Sequence, residues 1–226
     1  MRLSLAIALM FACALPAFAQ IPPGPSELRS YAGLHAAAAK GDAAEIERLI
    51  GAGEKPNVQD SHGRTPLHIA AHFGHQAAAQ TLLKGGANPN AFDAQKYDIV
   101  TIAAVNNDVA MLKLALAGGS NPKAITSPYD GTALIAAAHL GHAEVVRVLI
   151  DAKAPLDHVN NLGWTALMES IVLGNGGKAH TDTLEALVKA GANLNIADRQ
   201  GVTPLGHARS RGYAGMVRIL EAAAAK

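Results

Sequence analysis

Cysteine, aromatic residues and charge runs are all scarce in this chain. Its 226 residues include one cysteine, one tryptophan and 4% aromatics. The cysteine, Cys13, lies within the first twenty residues, so no internal disulfide is possible. No block of like charge occurs. Nineteen basic residues face eighteen acidic ones, which argues against nucleic acid or an anionic membrane as the main partner. The apolar run Leu3–Leu15 is too short to span a bilayer. Catalytic patterns are missing as well. There is no GxSxG and no HExxH, and Gly174–Ala179 lacks the spacing and the preceding strand of a phosphate loop.

The amino terminus carries a pattern of its own. Arg2, the apolar run and Ala17-Phe18-Ala19 read as a secretory signal peptide over residues 1–19, cleaved after Ala19. Met10 and Phe11 fit poorly with a lipoprotein anchor at Cys13. The mature chain is therefore expected in the periplasm or outside the cell. Without Arg2 it has eighteen basic and eighteen acidic residues and no cysteine. Its stability then rests on burial and regular packing. Residues 20–25 form a proline-rich lead-in, expected to be extended or disordered.

From there the sequence repeats. Leu34, Leu67, Val100, Leu134, Leu167 and Leu205 recur at intervals of 33, 33, 34, 33 and 38 residues. Around Leu67 the parts are plain: Thr65 as helix N-cap, Pro66 at the first helical position, Gly74 as a stop, an apolar second helix over Ala77–Leu83, and Gly86. Asn88, Pro89 and Asn90 follow as turn formers. The first unit lacks Thr-Pro. The third has Asp98-Ile99-Val100-Thr101, and Asn107 in place of a glycine; asparagine tolerates a left-handed backbone. The fifth carries about five extra residues within Asn175–Thr183, expected to be a flexible joint with Thr181, Asp182 or Thr183 capping the next helix.

Thr65-Pro66-Leu67-His68-Ile69-Ala70, with Gly74-His75, Leu82-Leu83 and Gly86-Ala87 in register, resembles an ankyrin repeat. The resemblance covers residues 26–226, with repeats at about 26–58, 60–92, 93–125, 127–159, 160–197 and 198–226. It implies an all-α repeat fold, an ankyrin-repeat solenoid of about six helix-turn-helix units with β-turn fingers. It gives the signature histidines hydrogen bonds within and between repeats. It also implies a non-enzymatic module that binds a protein partner in a concave groove, without cofactor or metal, as a monomer that does not insert into membranes. In exported bacterial proteins of this kind, the role is to protect a periplasmic enzyme or to neutralise a toxic effector as an immunity protein. By register, the candidate groove residues are Arg64, His72, Phe73, Tyr97, Asn106, Tyr129, His139, Leu140, Trp164, Leu173 and Arg211. A hydrolase or metal-dependent enzyme on the same scaffold is the competing class, with His68 and His72 four residues apart on one helix.

Overall fold

The computed structural model describes residues 21–225, so the signal-peptide segment and Cys13 lie outside the described residues. Helix α1 spans Pro25–Ser30, and six helical pairs follow. These are α2 (Gly33–Lys40) with α3 (Ala43–Gly51), α4 (Pro66–His72) with α5 (Gln76–Lys84), and α6 (Ile99–Val105) with α7 (Val109–Ala117). Then come α8 (Ala133–Leu140) with α9 (Ala143–Asp151), α10 (Ala166–Val172) with α11 (Lys178–Lys189), and α12 (Pro204–Ser210) with α13 (Ala214–Ala224). The first members of the pairs, α2 to α12, pack against one another in sequence order and form an inner row; the second members, α3 to α13, form an outer row behind it.

The sequence explains each inner helix. Thr65, Thr132, Thr165 and Thr203 accept a hydrogen bond from the backbone N–H three residues on, satisfying a donor that the helix leaves open. Asp98 does the same in the third unit, and Asn107 takes the left-handed φ of 55° expected of it. The pairs Ala37/Ala38, Ala70/Ala71, Ala103/Ala104 and Ala137/Ala138 are buried and let neighbouring helices approach closely. Gly41 has φ 71°, and a Cβ there would meet the His75 ring at 2.9 Å, so the next unit needs glycine at this place.

The repeating hydrophobic row is continuous. Leu34, Leu67, Val100, Leu134 and Leu167 are buried, while Leu205, in the sixth unit, is only partly covered. In the outer row, Ala78, Met111, Val145 and Met216 fill equivalent buried positions. Thr183 occupies the matching place in the fifth unit, and its hydroxyl has no partner there.

Two local expectations change. The lead-in is not extended as far as Pro25: Gly24 caps α1, and Glu27 reaches back to accept from the Gly24 N–H at 2.6 Å. The extra segment of the fifth unit is joint only over Asn175–Gly177; from Lys178 it is helix. Gly177 is the N-cap of α11, its N–H donating to Asn175 Oδ1 at 2.9 Å, and Lys178 pairs with Asp182 one turn on. Thr181, Asp182 and Thr183 therefore sit inside α11, and none of them is its N-cap.

Candidate functional site

Between units the chain folds into short fingers; among the described residues these contain one isolated bridge, Thr126–Gly131, and no strand. Each finger is held by one side chain. Asp60 Oδ1 accepts from the N–H groups of His62 and Arg64, and Asp93, Ser127, Asn160 and Asp198 repeat this at their own positions. Backbone bonds then link finger to finger: Ala94 N–H to His62 C=O at 2.9 Å, Ser127 N–H to Lys96 C=O at 3.2 Å, and Asn161 N–H to Tyr129 C=O at 3.0 Å.

The histidines are fastenings. His68 Nδ1 accepts from Thr65, and its Nε2 lies 3.1 Å from Ala91 C=O and 3.2 Å from Tyr97 C=O. Nε2–H therefore donates forward into the next finger. His35 makes the same forward bond to Arg64 C=O at 2.9 Å. His75, His142 and His180 reach backward to Ala39, Ala104 and His139, binding carbonyls that the end of an inner helix leaves open. With both nitrogens of His68 engaged, the His68–His72 metal pair is ruled out. In the third unit Thr101 replaces the histidine: it donates to Asp98 and hydrogen-bonds to Thr126 at 3.0 Å, one unit on.

The eleven sequence candidates divide by exposure. Phe73 is 36% exposed, Leu140 40% and Tyr129 44%; Asn106 and Arg211 are also exposed. His72, His139, Trp164 and Leu173 are half-buried. Arg64 and Tyr97, each 2% exposed, are not available to a partner. Both stand four residues after the finger aspartate, and that place turns into the stack. Arg64 donates to Asp60 at 2.8 Å and to Glu27, while Tyr31 donates to Asp60 at 2.6 Å. Helix α1 thus stands where a first finger would be, locked to the second. Burial alone would raise the Asp60 carboxyl; the hydrogen bonds from Tyr31 and Arg64 outweigh it and hold Asp60 at about 2. Glu27, Asp60 and His62 have the spacing of metal ligands, but the Arg64 guanidinium is already paired with both carboxylates. Burial pushes the Tyr97 phenol up to about 12.

Sequence reading missed several exposed apolar side chains on the fingers: Val58, Phe92, Ile125, Val159 and Leu162. Their signal was present, since each lies among turn formers where an apolar residue has no packing role. Glu169 was missed too. It is the one acid within an inner helix, buried where Ile69 and Ile102 stand in other units. Its carboxylate accepts from Asn160 Nδ2 at 2.7 Å and lies 3.3 Å from His139 Nδ1, tying the fourth unit to the fifth finger.

His72 has a buried Nε2 without a partner, and burial lowers its imidazole from 6.5 to about 4. The fold therefore favours the neutral ring, and the unfolded chain takes up the proton first. Stability from His72 is complete above pH 6.5 and declines as pH falls toward 4. Burial lowers His68 as well, and it adds in the same direction. Urea unfolding at a series of pH values is expected to show a shallower loss between pH 7 and 5 for His72→Gln than for wild type; parallel curves would contradict this.

Comparison with known proteins agrees with this geometry. The family description "Ankyrin repeats (3 copies)" matches residues 9–93, 34–124 and 100–198. The chain belongs to the ankyrin-repeat family. A solved ankyrin repeat domain from Acinetobacter baumannii AYE is 41% identical, with 84% of this chain and 97% of that one covered and a TM-score of 0.81. The ankyrin repeat domain of Bcl-3, a member of the IkappaB protein family, is 25% identical over 86% of each chain, with a TM-score of 0.77. The ankyrin repeat protein YahD of Escherichia coli K12 is 35% identical over 98 residues, 43% of this chain. The match spans about half of YahD, 49% of its length. Ankyrin repeats are in general non-enzymatic protein-interaction modules, and the matched families include no catalytic one. Among the described residues no helix is long and apolar enough to cross a membrane.

Proposed function

We propose that this chain is a monomeric, non-enzymatic binding protein, exported to the periplasm or beyond, which holds a protein partner in the groove formed by its inner helices and fingers. The observation that carries this reading is the exposure of Phe73 and Leu140 at equivalent positions at the C-terminal ends of two inner helices, with the finger residues Tyr129 and Leu162 also exposed. Large apolar side chains repeated at equivalent places, with His75 and His142 beside them engaged in the framework, suit an interface better than an active site.

The test uses the full chain expressed in its source cells. A Phe73→Glu/Leu140→Glu double variant is expected to retain its fold by circular dichroism and to lose at least about tenfold in capture of partners after crosslinking in intact cells. Undiminished capture by the folded variant would reject the groove. Export has a separate measurement. The mass of the purified protein should correspond to an amino terminus at Gln20; an uncleaved chain in the cytoplasm would reject that part.

A further inference from the structure

One junction in the array lacks a fastening that its neighbours have. Asn57, in the turn after α3, accepts from the Asn88 N–H at 2.7 Å and donates to the Gly86 carbonyl at 3.1 Å, in the turn after α5. Asn90 repeats both bonds one unit on, to Asn121 and Gly119. Asp157, after α9, accepts from the Asn193 N–H at 2.8 Å. Between the turns after α7 and α9, the register sets Lys123 against Lys153 and Pro155. Lysine has no acceptor and Pro155 has no N–H, and among the described residues no hydrogen bond joins these two turns.

The outer helix beside this gap is loosely held as well. Ala115 of α7 takes the place of Leu49, Leu82 and Leu149 in α3, α5 and α9. All four helices have nine residues, yet α7 lies against α5 and α9 over shorter stretches than α3 lies against α5. The inner row is different. Helices α6 and α8 are closely packed, and His142 Nδ1 bonds to the Ala104 carbonyl at 2.9 Å across the same junction. The third and fourth units are therefore fastened along the inner row and unfastened behind it.

Backbone strain collects in the same place. Among the described residues, the non-glycine residues with left-handed backbone are Lys96, Asn107, Ser127, Asp130 and Lys153, with φ from 52° to 69°. All five belong to the third and fourth units. Lys96 and Asp130 stand where other fingers have Gly63 and Gly163, and Lys153 stands where other turns have Gly86 and Gly191. A side chain disfavours this conformation, so other arrangements of these turns lie closer in energy than glycine would leave them.

We infer that the junction between the third and fourth units is a hinge, with α6 and α8 as its pivot and the gap between α7 and α9 as the side that opens and closes. The helices stay formed; the curvature of the array changes. Phe73 and Leu140 lie on opposite sides of the junction, so bending alters their separation. That consequence rests on the groove reading above, whereas the hinge does not.

The test measures distances between paired nitroxide spin labels in the full chain, with Cys13→Ser so that no native thiol remains. Gln80→Cys/Arg147→Cys sets labels on α5 and α9, across the junction. Glu47→Cys/Lys113→Cys sets them on α3 and α7, on one side of it. All four positions are exposed. Each pair is two units apart, about 16–20 Å between helix axes. The distance distribution across the junction is expected to be at least about twice as wide as that of the control pair. Lys123→Asn/Pro155→Asn supplies the missing bonds and should bring the width down to the control. Lys123→Asn alone can still donate to the Lys153 carbonyl; it should narrow the distribution part-way, and it replaces the double variant if that fails to fold. Equal widths in the wild type overturn the hinge. So does a broad distribution that persists in the folded stitched variant. Neither result bears on the groove, which the capture experiment tests separately.

Discussion

Truncating Leu134 to alanine is expected to cost about 3 kcal/mol, the middle of the range for a buried leucine. The side chain is fully buried in α8, which packs on α6, α9 and α10. Removing three carbons leaves a cavity that these helices can close only by abandoning their spacing, which the small alanines beside them fix. In a linear stack each unit is stabilised chiefly by its neighbours, so a weak central unit uncouples the two ends. Urea unfolding followed by circular dichroism should change from one transition to two. The same truncation at Leu205, partly covered and at the end of the row, should cost about 1 kcal/mol and leave a single transition. Equal losses at the two positions would contradict nearest-neighbour stacking.

Replacing Arg64 with leucine is expected to cost about 3 kcal/mol, because it leaves two carboxylates facing each other without their cation. Glu27, on α1, and Asp60, at the base of the second finger, both bond to the buried guanidinium, and Arg64 also donates to the Ile21 carbonyl at 3.2 Å. The damage should be local. Helix α1 detaches, so trypsin cleaves at Arg29 far sooner than in wild type while α4 to α13 remain protected. Adding Glu27→Gln to Arg64→Leu should recover part of the lost stability, since one of the two facing charges is then removed. Undisturbed protection of Arg29 in the single variant would show that α1 is held by something else. The same lock predicts acid sensitivity. The Asp60 contribution is complete above its ordinary 3.8 and is lost as pH falls toward 2.

These two sites also mark what was legible in the sequence. The Leu134 row could be read from spacing alone, because a repeat of about 33 residues places one apolar side chain at one place in every unit. The caps were equally visible: Thr65, Asp98 and Asn107 perform locally what their chemistry suggests, with no help from distant residues. Arg64 was different. Its register position placed it with the fingers, but whether its side chain turns outward or into the stack depends on Glu27 and Tyr31, on a helix the lead-in gave little sign of. Tyr97 went the same way. The α11 extension was hidden because Gly176-Gly177 reads as a loop, whereas Asn175 and the Lys178–Asp182 pair start a helix there. Glu169 was hard to see for a related reason: a buried acid is intelligible only once Asn160 and His139 are known to surround it.

The most direct test of the account is amide hydrogen exchange on the chain with and without a partner captured from cells. Slowed exchange is expected at the ends of the inner helices, around Phe73, Asn106 and Leu140, and at the fingertip around Tyr129, with the outer helices α5, α7 and α9 unchanged. Protection confined to those outer helices, with the inner ends exchanging as before, would contradict it.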